Sequence, residues 1–418
     1  MARQHDFDIV VVGGGMVGAS LASALSGQGL RIAVVEARPF SAPDHASFDD
    51  RSVALSWGSH RILDSLGLWQ ALDLAGVCPI ETIHVSDRGH IGSARLRAED
   101  EGVEALGYVV ENRVLGSVLA QRFAEMDDVT LFSPATPRAV DIGPNRARLR
   151  LQHGEETLDI DAALLVAADG GDSLLRQWQG IETFQRDYGQ TAIIANVATA
   201  QAHHNVAYER FTDTGPLAML PLSAPVGTGL EGQGRCSLVW TAQNSEVETI
   251  MGWDEATFTQ RLQARFGHRL GDITHVGLRS AYPLRMMQVR EAVRERLVVI
   301  GNAAHMLHPV AGQGFNLGLR DVASLAQLVV DGHRIGHDIG DMALLSGYRQ
   351  GRRNDTLRTL FFTDSLVRAF SNDFKPLALL RNLGLLALDT VPALKHQLAR
   401  QAMGLAGTQT RLARGLPL

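Results

Sequence analysis

Residues Phe7 to Glu36 read FDIVVVGGGMVGASLASALSGQGLRIAVVE, and this stretch decides the fold. Phe7 to Val12 is a short apolar, β-branched run of the kind found in a strand buried on both faces. Gly13, Gly15 and Gly18 follow it in G-x-G-x-x-G spacing. The first glycine permits the tight turn out of the strand, the second lets backbone approach a pyrophosphate, and the third lets the helix pack closely on the sheet. A helix opening at such a turn offers unpaired N–H groups and the positive end of its dipole to phosphate. A second strand, Arg31 to Val35, ends at Glu36, 23 positions after Gly13, where an acid accepts hydrogen bonds from an adenosine ribose. A lone glycine motif is weak evidence, but one that follows a strand, opens a helix and precedes an acid-terminated strand points to the ADP half of a dinucleotide.

Ile9 to Leu30 carries no charge and is long enough to imitate a membrane span. Six glycines within it and the adjacent Asp6 and Asp8 argue against that reading. The opening residues, Arg3 and two aspartates before the apolar run, do not read as a signal peptide. A second uncharged run, Tyr188 to Tyr208, is too rich in Gln, Asn, His and Thr for a membrane helix. The 418 residues suffice for two or three domains, and 45% hydrophobic with 20% charged residues is ordinary for a globular protein. A formal net charge of −6 gives no electrostatic reason to bind nucleic acid. Cys78 and Cys236 lie far apart without C-x-x-C spacing, so no disulfide framework or metal site is expected, and a reducing cytoplasmic compartment fits.

Further along, Glu81 to Arg97 reads as strand, turn and strand, and Gly107 to Met126 as strand then helix. Leu164 to Ala168 is a buried-type strand that runs into Asp169 and Gly170. Between about 183 and 285, segments such as TAIIANVAT, LAMLPL and RCSLVWT alternate with loops, interrupted by a helix from roughly Trp253 to Phe266. Leu297 to Ile300 is another strand, feeding a glycine-rich turn at Gly312 to Gly318 and a helix to about Val330. This predicts a dinucleotide domain assembled from 1–80, 101–182 and 286–340, a substrate domain from 81–100 and 183–285, and a helical region over 341–418. In that last region Leu377, Leu380, Leu383, Leu388, Leu394 and Leu398 recur at roughly helical spacing, with Arg381, Lys395, His396 and Arg400 among them. Such a helix packs on its own domain or a partner, or docks at a membrane surface.

Two more motifs narrow the reading: ADGGDSLLR at Ala168 to Arg176, and GNAAHMLHPVAGQGFNLGLRD at Gly301 to Asp321. With the first glycine motif, in this order, they resemble the FAD-dependent aromatic hydroxylases, the single-component flavoprotein monooxygenases, and the resemblance spans the chain. HVSDRGHIG (His84 to Gly92), ERFTDTGPLAMLPL (Glu209 to Leu222), RCSLVW (Arg235 to Trp240) and RSAYPL (Arg279 to Leu284) are similar to segments of the members that act in ubiquinone biosynthesis. The resemblance implies an α/β fold: a Rossmann-like FAD-binding domain, an inserted, largely antiparallel β substrate domain, and a helical C-terminus. It implies FAD as resident cofactor, NAD(P)H as transient electron donor, and hydroxylation by O2 of a polyprenylated phenol, 2-polyprenyl-6-methoxyphenol. Ubiquinone-biosynthesis assembly proteins and peripheral contact at the inner membrane surface are the implied partners. No second complete G-x-G-x-x-G is present, so nicotinamide is expected to dock without a domain of its own.

Physically, Asn302 lies at a strand end within reach of a flavin's ribityl chain, and Gly312, Gln313 and Gly314 offer backbone N–H groups beside a helix N-terminus, with Asn316 on its first turn. Such donors stabilise negative charge on a reduced isoalloxazine as they would a phosphate. The family usually has G-D-A-A-H where this chain has Gly301 to His305, so Asn302 brings a hydrogen bond there but no charge. The resemblance places Pro309 over the flavin's reactive edge and Arg51, Asn112, Arg113 and Asp169 near the cofactor; Leu220, Pro221 and Tyr282 read either as an apolar substrate pocket wall or as ordinary core. His305 and His308 titrate near neutrality, yet histidines in such positions are more often structural. Neither a metal-ligand cluster nor a Ser-His-Asp constellation is evident, and flavin chemistry needs neither. Three alternatives stay open: a sister hydroxylase acting at another ring position, a flavoprotein of this fold reducing isoprenoid double bonds, and a non-catalytic FAD-containing subunit.

Overall fold

The computed structural model describes residues 4–39, 47, 51–90, 92–223, 233–307, 312–370, 384–385 and 387–418. In chain order the first strands are β1 (Gln4–Val12), β2 (Ile32–Val35), β3 (Ser52–Ser56), β4 (Cys78–Ile80), β5 (Thr82–Asp87), β6 (Ser93–Arg97) and β7 (Gly107–Glu111). Then come β8 (Val129–Phe132), β9 (Ala135–Ile142), β10 (Ala147–His153), β11 (Glu156–Ala167), β12 (Thr183–Thr199), β13 (Val206–Thr212) and β14 (Gly215–Leu222). The last are β15 (Gly234–Gln243), β16 (Ile273–Val276), β17 (Ser280–Val289), β18 (Val293–Arg294), β19 (Leu297–Val299) and β20 (His305–Met306). The helices are α1 (Met16–Leu25), α2 (Trp57–Ser65), α3 (Trp69–Leu74), α4 (Ala98–Glu101), α5 (Asn112–Ala124), α6 (Leu174–Trp178), α7 (Asn244–Gly252), α8 (Glu255–Phe266), α9 (Gln313–Arg334), α10 (Met342–Phe370) and α11 (Pro392–Ala402).

Among the described residues the strands form three sheets. The first has the order β18-β19-β11-β1-β2-β8, with β10 and β9 added antiparallel on β11. Its centre is parallel: β1 pairs with both β2 and β11, β2 with β8, and β11 with β19. Strands from opposite ends of the chain therefore lie side by side in one layer. Ile9 and Val11 enter one core with α1, α5 and α9, whereas Val10 and Val12 enter a second core beneath β10 and β11. Burial on both faces is why the run at Phe7 to Val12 is continuously apolar rather than alternating.

The second sheet, in the order β20-β17-β12-β15-β14-β13-β5-β6, is antiparallel except where β13 runs parallel to β5. Its β20 belongs to the GNAAHM segment, and pairs Met287 with Met306 and Gln288 with His305. The second sheet thus extends directly into the second glycine-rich motif. A short third sheet, β3-β7-β4, lies in the remaining order. Two elements differ from the sequence reading. The strand expected at Leu164 begins eight residues earlier, at Glu156, because its first half pairs with β10 over residues whose alternation marks one exposed face. Helix α7 was not anticipated: only Ile250 of its nine residues is buried, too little to give a periodic signal.

The described part of the C-terminal region is helical and packs on its own chain. Leu412 and Ala413 join the core beneath α2, and Gly58 N–H donates to the Met403 carbonyl at 2.8 Å. Lys395 Nζ and His396 Nδ1 lie 2.7 Å from Asp100 and Glu101 on α4. Leu377, Leu380, Leu383 and Arg381 lie outside the described residues. Among the described residues no helix is long and apolar enough to cross a membrane.

Helix α1 meets β1 at Gly18, where an added Cβ would lie 1.9 Å from the Gly13 carbonyl oxygen. Replacing Gly18 with Ala is expected to destabilise the protein by about 1–3 kcal/mol through overpacking. Urea unfolding would show this as a lower midpoint with an unchanged slope.

Candidate active site

At the first glycine motif the backbone turns sharply, Gly13 having φ +103° and donating from its N–H to the Val35 carbonyl at 2.8 Å. Gly15 is the N-cap of α1, which has no side-chain cap and no acid in its first turn. A Cβ on Gly15 would meet nothing within 4 Å, so the helix N-terminus opens onto space. Glu36 is fixed beside it: Oε2 accepts from Gly14 N–H at 2.7 Å and Oε1 from Arg38 N–H at 2.9 Å.

Asp169, at the end of β11, caps α6 by accepting from Leu174 N–H at 2.8 Å and Leu175 N–H at 3.3 Å. Burial pushes its carboxyl up, and its Oδ1 is buried with no hydrogen-bond partner. Across β3 and β7 the structure brings Arg51 and Asn112 together, Asn112 N–H donating to the Arg51 carbonyl at 2.7 Å. Asn112 Oδ1 is likewise buried without a partner. Arg113 is held at 3.4 Å from Glu111, which also pairs with the buried Arg235 at 2.6 Å.

Between the sheets lies a largely apolar cavity of about 490 Å3. Its floor is one face of the second sheet, where Ala94, Val85, Glu209, Ala218, Val239 and Ile194 stand opposite one another across β6, β5, β13, β14, β15 and β12. Over that floor lie Asn302, Gly312, Gly314 and Phe315, and at one side Leu385, Leu388, Leu398 and Ala402 of the C-terminal region. Gly312 adopts φ +61° as the N-cap of α9, whose first turn has no acid and no side-chain cap. A Cβ on Gly314 would meet only open space. Gln313 is buried, and Asn316 holds the loop: its Oδ1 accepts from Ser56 N–H at 2.8 Å, and its Nδ2 donates to the Ala54 and Gly312 carbonyls at 2.9 and 2.5 Å. Pro309 and His308 lie outside the described residues.

Of the three expected wall residues, Leu220 lines the cavity. Pro221, the next residue of β14, points to the opposite face by strand alternation and does not line it. Tyr282 shares the cavity's face of the sheet, opposite Ala192, but sits outside the lining and is 37% exposed. There its hydroxyl accepts from Arg51 Nη1 at 2.9 Å. This pair bridges the residue that precedes β3 to the second sheet.

Sequence reasoning missed two clamps that shape the second glycine motif. Arg176, the last residue of ADGGDSLLR, donates from Nη1 to the Ala303 carbonyl at 2.8 Å and from Nη2 to the Gly171 carbonyl at 2.6 Å. Asp321, buried on α9, accepts from Gly301 N–H at 3.0 Å, faces His305 Nε2 at 2.6 Å, and accepts from Arg352 Nε of α10 at 2.8 Å. Both end quoted motifs, so their positions were visible although their partners were not. Arg352 carries no motif signal. Among the described residues no cluster of His, Cys, Asp and Glu could hold a metal ion.

Burial alone would push the Asp321 carboxyl up, but the His305 ring, the Arg352 guanidinium and the Gly301 N–H together hold it well below the usual range. A depressed carboxylate contributes stability above its unfolded value, near 4, and loses it as pH falls through its folded value. Replacing Asp321 with Asn is expected to cost about 3–5 kcal/mol at pH 7, because Arg352 is left buried beside a neutral amide. Denaturant midpoints from pH 7 down to pH 3 would show the gap between wild type and variant narrowing below pH 4.

The family described as FAD binding domain matches residues 6–354. Over 415 residues the chain is 39% identical to ubiquinone hydroxylase UbiL of Rhodospirillum rubrum, spanning 98% of this chain and 93% of that protein. It is 32% identical over 407 residues to 3-demethoxyubiquinol 3-hydroxylase of Escherichia coli, spanning 95% and 98% respectively. Among solved structures, p-nitrophenol 4-monooxygenase PnpA of Pseudomonas putida aligns with a TM-score of 0.78 at 18% identity, over 97% of this chain and all of that one. At that identity the likeness concerns the fold.

Proposed function

The chain belongs to the FAD-dependent aromatic hydroxylases, and from that membership we propose that it hydroxylates the ring of a polyprenylated phenol on the route to ubiquinone, with O2 and NAD(P)H as co-substrates. The observation that carries this reading is the shape of the cavity. Its floor crosses six paired strands, about 24 Å at about 4.8 Å per strand spacing, and its lining includes both the glycine-rich loop and Leu385, Leu388 and Leu398. That is room for a ring beside the loop and an isoprenoid chain beyond it. We assign 2-polyprenyl-6-methoxyphenol as substrate. The Escherichia coli relative is named for hydroxylation at carbon 3 of demethoxyubiquinol, which makes the sister ring position the second reading.

The residues present fit FAD. Open space at Gly15, an uncapped α1 N-terminus, and the partnerless acceptors Asn112 Oδ1 and Asp169 Oδ1 form a cradle for a polar group. In this proposal Gly13, Gly15, Gly18 and Glu36 hold the ADP half, with Arg51, Asn112, Arg113, Asp169, Asn302, Gln313 and Asn316 along the rest. When bound, the flavin supplies two-electron reduction from NAD(P)H and the activation of O2. Gly312 and Gly314 direct N–H groups toward negative charge on the cofactor, Pro309 positions the ring, and Leu220 bounds the pocket, with Tyr282 on the same face of the sheet beyond the lining. The apolar floor excludes water, which would otherwise divert activated oxygen to peroxide.

Residues 1–80, 101–182 and 286–340 form the cofactor domain in this reading, 81–100 and 183–285 the substrate domain, and 341–418 the helical region. Contact with a membrane surface, or with a ubiquinone-biosynthesis assembly, belongs to the same proposal. Leu357 and Phe361 of α10 are 44% and 76% exposed, and the neighbouring Phe362 lines the cavity from the inner side of that helix.

Expression in a strain lacking the 2-polyprenyl-6-methoxyphenol hydroxylase, with lipid extracts read by mass spectrometry, tests the reaction. Restored ubiquinone and loss of the accumulated phenol are expected; a persistent phenol beside FAD-bound protein would move the assignment to the sister position. Replacing Gly15 with Glu is expected to abolish FAD retention by putting bulk and negative charge where the pyrophosphate would lie. Flavin absorbance per mole of purified variant measures it, and a stoichiometrically yellow variant would refute the assignment of this turn.

A further inference from the structure

The cavity holds one ionisable side chain to which the reaction above gives no task. Among its described lining residues, Glu209 alone carries a formal charge. It stands in the middle row of the floor, opposite Val85 on one side and Ala218 on the other, and that row is otherwise apolar. Ala207 and Phe211, two residues away on the same strand, also line the cavity. The alternation of β13 therefore directs Glu209 to the substrate side of the sheet. Its carboxylate is thereby placed on the wall that a hydroxyl-bearing substrate would meet.

We propose that Glu209 is the general base of the hydroxylation, accepting a hydrogen bond from the substrate's phenolic hydroxyl and taking its proton as the ring is oxygenated. The proposal rests on the reading of the substrate as a phenol. A free phenol ionises near 10 and a carboxylate near 4, so full transfer is uphill by about six units in the resting complex. Glu209 therefore holds the hydroxyl by a charge-assisted hydrogen bond, and the proton moves only as the electron pair of the O–H bond flows into the ring.

One ring C–H is replaced by C–OH, the O–O bond of O2 breaks, and NAD(P)H is oxidised by two electrons. The second oxygen leaves as water, with one proton consumed overall. During oxygen transfer the phenolic oxygen becomes a carbonyl and Glu209 a carboxylic acid. When the oxygenated carbon sheds its hydrogen as a proton, the ring becomes aromatic again and Glu209 returns its proton to the oxygen.

The test uses FAD-loaded wild type, Glu209→Gln and Glu209→Asp with 2-geranylphenol as probe. Hydroxylation and its coupling to NAD(P)H oxidation are followed from pH 6 to pH 10, and the ultraviolet band of the bound phenol is titrated separately without reductant. Glu209→Gln is expected to lower kcat at pH 7 by about 10²- to 10⁴-fold and to recover about tenfold per pH unit as the bound phenol ionises. Glu209→Asp is expected to lie between the two. Bound phenol should ionise at lower pH in the Gln variant than in wild type, because no neighbouring carboxylate opposes the phenolate.

A Gln variant slowed equally at every pH, with an unchanged phenol titration, would overturn the proposal in favour of a structural role. If wild type gives no product, the reading of the reaction fails. The titration needs no turnover and then decides the Glu209 contact by itself: equal values overturn it, and a downward shift in the variant supports it.

Discussion

One buried carboxylate sets the geometry on which the site depends. Asp321 receives the N–H of Gly301, the imidazole of His305 and the guanidinium of Arg352, so three parts of the chain meet on two oxygens. Gly301 begins the second glycine motif, His305 starts the strand that joins the second sheet, and Arg352 lies on the helix whose Phe362 lines the cavity. Arg352 also pairs with Asp355, which pairs in turn with Arg320, so each charge faces an opposite one. Such a cluster is costly to bury and costlier to disrupt, which ties the loop, the sheet edge and the helix to a single arrangement.

Beside the apolar packing of Met287 and Val289 on the first sheet, polar links join the two large sheets. Arg176 reaches from the ADGGDSLLR motif to the Ala303 carbonyl, Arg51 reaches Tyr282, and β20 adds its backbone to β17. The cavity lining is largely apolar, with Glu209 its one formal charge among the described residues. The C-terminal region completes the enclosure from the other side, since the segment that contributes Leu398 and Ala402 to the lining continues into residues buried beneath α2. Residues more than a hundred positions apart therefore share one wall, which is why the region after 341 cannot be regarded as an appendage.

How much of this was legible in the sequence follows from how local each interaction is. The turn at Gly13, the open N-terminus at Gly15 and the acid at Glu36 are set by backbone chemistry within thirty residues, and spacing alone reveals them. The glycine-rich start of α9 is equally local. Arg176 and Asp321 could be seen only as the last letters of motifs, because their partners are a carbonyl 127 residues away and an arginine 31 residues on. Leu220 and Pro221 were indistinguishable as apolar neighbours until strand pairing fixed which one faces the cavity. Glu209 sat unremarked inside a quoted segment, since an acid in a β-strand reads as solvent-facing unless the register is known.

The contrast between a polar frame and an apolar interior has an electrostatic consequence. Interaction energy scales inversely with the local dielectric, so a partial charge facing a dry cavity acts more strongly than the same charge at the surface. The N-terminus of α9 is such a charge: about half a unit, with no acid in its first turn and no side-chain cap to offset it. Met306, Leu307, Gly312, Gly314 and Phe315 beside it bring no competing charge into the cavity. The field at that end of the cavity therefore combines the Glu209 carboxylate on the floor with the orientation of backbone N–H groups. That orientation is fixed by Asn316, whose amide joins the loop to β3 through Ser56, Ala54 and Gly312. Preorganised donors of this kind stabilise developing negative charge without reorganising as the reaction proceeds. The helix start and the asparagine that pins it thus act together on the cavity.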